Sequence, residues 1–183
     1  MKKLTALILA MLLMVFMVGV VYADDITVTV TMTSYSLSIT NATWAIGTVT
    51  PSLDTARQTK SIVKNSGGVN MDVTLQGANA TNWNLGSSVG ANIFAMRAIF
   101  CAPGTTAIVE DSFKTEDSLY TDALEGDNAR FYMTNCGSGA DGDGLDIAAG
   151  DSLGLYLWFQ APTTSSTTAE QSIVVTVGGK VAD

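Results

Sequence analysis

Residues 24–183 read as one antiparallel β-sandwich, Ig-like or jelly-roll-like, of about eight strands behind an N-terminal signal helix. Apolar and polar residues alternate with a period of two from end to end, which is the mark of half-buried strands. No stretch keeps a helical period beyond two turns. Thr, Ser, Gly and Val dominate, and this composition favours strands and turns over helices.

The elements follow in order. Lys2 and Lys3 precede an unbroken apolar run, Leu7 to Val21, and Val21-Tyr22-Ala23 ends on a small residue. A charged start, an apolar middle and a small-residue cleavage site make residues 1–23 a secretory signal peptide. The alternative is a retained anchor, since the run is near the lower limit for a membrane span. No Cys follows it, which argues against a lipoprotein. Ile26, Val28, Val30 and Met32 then alternate with threonines, and Tyr35, Leu37 and Ile39 with Ser36, Ser38 and Thr40. A weaker strand lies around Ser61 to Lys64, and Met71, Val73 and Leu75 mark the next. Phe94, Met96, Ala98 and Phe100 share one strand face, with Arg97 on the other. Phe131 and Met133 suggest a further strand. Leu153, Leu155, Leu157 and Phe159 oppose Tyr156 and Trp158, and Ile173, Val175 and Val177 close the series. Asn65-Ser66-Gly67-Gly68 and Gly86-Ser87-Ser88 are turn sequences. An acidic excursion, 103–127, carries seven acids against Lys114 alone, so it is expected on the surface, with a short helix near Ser118 to Leu124 as its best candidate element. Thr163 to Thr168 is a run of hydroxyl residues and reads as an exposed loop.

Charge and composition exclude several functions. Without residues 1–23 and their two lysines, 7 basic residues face 17 acidic ones, a net charge of −10. Nucleic acid and anionic lipid both require a basic face, so neither is an expected partner. The chain has no His, which removes Ser-His-Asp and Cys-His catalysis, His-ligated zinc and histidine pH switching. No enzymatic activity is expected.

Cys101 and Cys136 are the only cysteines, and export favours a disulfide between them over two buried thiols. Gly137-Ser138-Gly139-Ala140-Asp141-Gly142 matches a dinucleotide fingerprint in letters only, because no βαβ unit surrounds it. Asp141, Asp143 and Asp146 alternate with glycine, so their carboxylates could converge on calcium. The competing reading is a solvated acidic turn, since Leu145 stands where a loop of this kind needs an oxygen and Ser152 where it needs a glutamate. Asn41-Ala42-Thr43 and Asn79-Ala80-Thr81 are glycosylation sequons. Trp44, Trp83 and Trp158 serve either as core residues or as a carbohydrate-stacking platform, and Trp158, opposite the apolar face of its strand, is the best candidate for an exposed ring.

Trp44-Ala45-Ile46-Gly47-Thr48-Val49, the stretch Val63 to Val73 around Asn65-Ser66-Gly67-Gly68, and Leu155 to Pro162 followed by Ile173-Val174-Val175-Thr176-Val177 form a combined pattern. The pattern resembles exported Ig-like β-sandwich surface proteins of prokaryotes, and more loosely TasA/camelysin-type filament subunits, over about residues 26–181. The resemblance implies an extracellular structural or matrix role and brings no catalytic residue. It adds weight to a donor role for residues 24–33, in which Ile26, Val28, Val30 and Met32 enter a neighbouring subunit; the competing reading makes them the first strand of their own sandwich. The expected function is therefore a secreted, self-associating structural subunit, a homopolymer forming filaments or a surface layer. The alternative is a monomeric adhesion or carbohydrate-binding module.

Export makes one prediction at this level. Mature protein should begin at Asp24, which N-terminal sequencing or intact mass of native material reads directly; a chain that retains Met1 would overturn it.

Overall fold

A computed structural model of the chain describes residues 34–56, 60–105, 108–127, 129–133, 136 and 142–183. The expected signal peptide 1–23, the expected donor strand 24–33 with Ile26, Val28, Val30 and Met32, and Asp141 lie outside the described residues. The chain divides into two units, Met1–Met32 and Thr33–Asp183, and the described residues all belong to the second.

Among the described residues nine strands make two sheets: β1 (Leu37–Thr40), β2 (Asp54–Ala56), β3 (Ser61–Asn65), β4 (Met71–Gly77), β5 (Asn84–Gly86), β6 (Ile93–Cys101), β7 (Leu124–Glu125), β8 (Ser152–Gln160) and β9 (Val175–Val181). Sheet A runs β1-β3-β8-β6-β5, with β2 also paired to β8, and sheet B runs β7-β4-β9. Every pairing is antiparallel except β5 with β6. The two sheets pack as the sandwich that the alternation predicts.

The alternating residues place the core. Leu153, Leu155, Leu157 and Phe159 of β8 join Phe94, Met96, Ala98 and Phe100 of β6 on the inner face of sheet A. Met71, Val73 and Leu75 of β4 meet them from sheet B. At the start of β4, the Asn65 turn is tied down by its own side chain. Asn65 Nδ2 donates to the carbonyls of Val69 and Ile147, and Oδ1 accepts the Gly67 N–H. A Cβ on Gly67 would stand 2.7 Å from the Ser34 carbonyl oxygen, so the close passage of these two segments requires glycine.

Sheet A is apolar on its other face as well. Ala95, Ile99, Cys101, Tyr156 and Trp158 point there and pack with Ile108, Phe113 and Cys136. This corrects the expectation for Trp158, which is 5% exposed because the acidic excursion lies over it. The Arg97 guanidinium sits 4.6 Å from the centre of its ring and donates from Nη1 to the Phe113 carbonyl. The excursion is thus a strap: Glu110, Asp111, Glu116, Asp122, Glu125 and Asp127 face solvent, while Ile108, Phe113, Asp117 and Leu119 are buried.

Two local expectations also change. The stretch 118–124 is not helical; two single 3-10 turns, Glu110–Ser112 and Thr115–Asp117, precede it. Ser118 bridges Arg97 and the Leu119 N–H donates to the Met96 carbonyl, so the edge of β6 takes the backbone groups a helix would use. Phe131 and Met133 do not form a strand either. Phe131 turns at a φ of 58°, which sends its ring into the main core against Phe100 while its carbonyl accepts the Phe100 N–H. Ala102 then donates to Cys136. With β5, these contacts cover the edge of β6 along its length.

Cys101 and Cys136 are joined by a disulfide, with Cα atoms 5.0 Å apart. The bond closes the strap at the end of β6. In the chain-entropy account, closing a loop of this size stabilises by about 3–4 kcal/mol. Cys101→Ser with Cys136→Ser should lower stability by about that amount, and hydrogen exchange should rise more in 103–135 than in β4 and β8. Unchanged denaturant midpoints would show that packing alone holds the strap.

Candidate functional site

The longest free strand edge among the described residues is that of β9. All seven of its residues pair with β4, from Met71↔Val181 to Gly77↔Val175. The other side of β4 is occupied by β7 and by the 144–147 segment, through Val73 N–H to the Gly144 carbonyl and a two-way Met71–Ile147 bridge. The far edge of β9 has no strand partner among the described residues; an edge of this kind presents a row of backbone donors and acceptors to whatever strand lies beside it.

The side chains beside this edge are half-closed. Ile173, Val175 and Val177 pack on the main core but remain half-buried, and Val174 and Val181 are exposed. Trp44, Ile46 and Val49, on the irregular stretch after β1, are half-buried against the same core. Core side chains that stay partly wet gain stability when further apolar groups cover them.

Lys180 is the one charged residue of β9. Its Nζ lies 3.6 Å from Asp72, 3.3 Å from Glu125 and 3.1 Å from Asp183. Hydrogen bonds first to Asp183 and then to Glu125 hold the ammonium above its ordinary pKa. An edge lysine ordinarily discourages strand addition; here carboxylates surround its charge.

The strap has a buried charge site of its own. Asp117 is fully buried; Oδ1 accepts the Phe131 N–H at 2.8 Å and Oδ2 the Lys114 N–H at 2.7 Å. It therefore ties together the two limbs of the strap. Burial lifts its pKa from 3.8 to about 6, against the lowering pull of the Lys114, Phe131 and Tyr132 N–H groups and with a smaller upward push from Glu116. Tyr156, under the strap, is raised by desolvation and donates its hydroxyl to the Thr105 carbonyl. Asp127 is lowered by the N–H groups of Arg130 and Ala129.

The other sequence candidates are placed as follows. Asp143 is buried, with Oδ1 accepting the Leu145 N–H. Asp146 is exposed; its Oδ1 accepts from Asn70 and its N–H donates to Asp72. Among the described residues, no three acidic, Cys or His side chains gather as a metal site. Asn41 and Asn79 are both exposed, Asn41 donating to the Lys60 carbonyl and Asn79 accepting the Leu85 N–H. Trp83 packs against Phe94 and Phe159, and its Nε1 donates to Ser165 Oγ. The three tryptophans thus all pack against interior clusters. No helix among the described residues is long and apolar enough to cross a membrane. No family model matches the chain, and no curated protein matches it.

Sequence reading missed Asp117, because one acid among seven in 103–127 carries no mark of burial. It also missed that β9 is an edge strand among the described residues, since alternation identifies a strand and not its neighbours.

Asp117 predicts a pH dependence. The folded state binds its proton more tightly than the unfolded chain. The resulting stabilisation is full below about pH 4 and is lost as pH rises through about 6. Asp117→Asn should flatten that part of the stability profile. It should also cost about 1–3 kcal/mol, because an amide hydrogen would face a buried N–H. Denaturant unfolding of both proteins from about pH 4 to 7 reads both effects; parallel profiles would remove Asp117 as the titrating group.

Proposed function

We propose that the chain is a secreted structural subunit that self-associates into extracellular filaments or a surface layer, with residues 24–33 of one copy adding to sheet B of the next. The observation that carries this reading is the edge of β9 that has no partner among the described residues, beside half-buried Ile173, Val175 and Val177. Residues 24–33 are long enough to run along all seven residues of β9. Their main chain would supply ladder hydrogen bonds, and Ile26, Val28, Val30 and Met32 would fill one face at the period of two that a strand dictates. Burying four such side chains contributes roughly 6–12 kcal/mol before ordering costs, at about 1.5–3 kcal/mol each. Donor and acceptor are different surfaces, so the contact is heterologous and propagates into an open polymer unless its rotation closes a ring. The signal-peptide pattern and the disulfide both suit an extracellular setting.

Deletion of residues 24–33 tests it. The shortened protein should fold, fail to polymerise alone and bind a synthetic 24–33 peptide, with the amides of β9 gaining exchange protection. Filaments indistinguishable from those of the intact protein would exclude donation by this segment, and a soluble monomer for the intact mature chain would favour an adhesion module.

A further inference from the structure

The hydroxyl run Thr163 to Thr168 follows Pro162 and lies at the surface, with all of its residues exposed except half-buried Thr167. Its backbone is fixed without help from most of its side chains. Thr163 N–H donates to the Gly90 carbonyl, Asn92 N–H to the Thr164 carbonyl and Ser166 N–H to Asn92 Oδ1. Two hydroxyls do structural work: Ser165 Oγ accepts from Trp83 Nε1 and donates to the Thr167 carbonyl, and Thr167 Oγ1 accepts the Ala169 N–H. The hydroxyls of Thr163, Thr164, Ser166 and Thr168 make no hydrogen bond among the described residues. They stand on a fixed loop, in water, with no part in holding it.

The surroundings are equally uneven. The acidic side chains crowd the strap, whereas between Ala161 and Val174 the only charge is Glu170, and the facing segment from Ala78 to Asn92 has none. The segments are joined through Asn82 N–H to Gln171 Oε1 as well as through Trp83 and Asn92. These two facing segments therefore carry a single charge, Glu170, and are otherwise rich in hydroxyl and amide groups, in a chain whose charge is strongly negative.

We infer that Thr163, Thr164, Ser166 and Thr168 are sites of O-glycosylation. Serine and threonine runs beside proline are the composition on which O-linked sugars are carried. The co-reactant is a sugar activated as a nucleoside or polyprenyl diphosphate, supplied with its transferase by the exporting cell. The side-chain oxygen bonds to the anomeric carbon, the bond from that carbon to phosphate oxygen breaks, the diphosphate leaves with the electron pair, and the hydroxyl proton passes to a base of the transferase. Ser165 and Thr167 are spared because their oxygens are engaged in the fold. The inference does not depend on polymerisation.

Intact mass of the protein purified from its own host should exceed the sequence mass in whole-monosaccharide steps. Alkaline β-elimination should remove the excess, and electron-transfer fragmentation should place it on these four residues. The variant Thr163→Ala, Thr164→Ala, Ser166→Ala, Thr168→Ala, made in the same host, should lose every step while keeping the thermal midpoint of the deglycosylated protein. The variant Ser165→Ala, Thr167→Ala should keep the steps and melt lower. A native mass equal to the sequence mass, or sugar confined to Asn41 and Asn79, would overturn the inference.

Discussion

Sheet A has two apolar faces, and a three-stranded sheet B can cover only one of them. Most of the rest of the fold follows from that constraint. β8 is buried along seven consecutive residues because Leu153, Leu155, Leu157 and Phe159 look into the sandwich while Tyr156 and Trp158 look away from it. Leaving the second row in water would forfeit roughly 1.5–3 kcal/mol for each large side chain. The strap supplies the missing layer with only a few apolar residues, Ile108 and Phe113 above all, and offers its acids to solvent. Leu119 and Phe131 extend from the strap into the main core, so the cover and the sandwich share side chains rather than merely touching.

The strap holds charge under unfavourable conditions, and it does so in two different ways. Asp117 has backbone N–H donors aimed at its carboxylate, which offset part of the cost of burial. Arg97 has no carboxylate partner among the described residues, and its Nε makes no hydrogen bond. Its charge is met instead by the face of Trp158 and the Phe113 carbonyl. A chain so rich in acids thus leaves an arginine to an aromatic ring, which locks the direction of Arg97 across the sheet and keeps Trp158 from solvent.

The long strands were legible in the sequence because period-two alternation over five or more residues is hard to produce otherwise, as in Met71 to Leu75 and Leu153 to Phe159. β2, β5 and β7 were not, since two or three residues contain no period to read. Trp158 shows the limit of the same rule. Alternation correctly placed it opposite Leu157 and Phe159, but it could not reveal that a segment some 40 residues earlier in the chain returns to cover that face. Cys101 and Cys136 were legible as a pair because no other partners existed. The acceptor side of the proposed assembly was not, because a free edge is a property of strand order, which single-strand patterns do not contain.

The disulfide joins the strap to the sandwich at the strap's far end, while β6 anchors the near end. A protease outside the cell would meet exposed sites between these anchors, for instance at Lys114. One cut there leaves two pieces that the sulfur bridge still ties into a single covalent molecule, with Phe113 and Leu119 on opposite sides of the break and each still seated in its own cluster. The nicked protein would migrate intact without reductant and as two fragments with it. Damage to an exposed part of the surface is thereby separated from loss of the molecule.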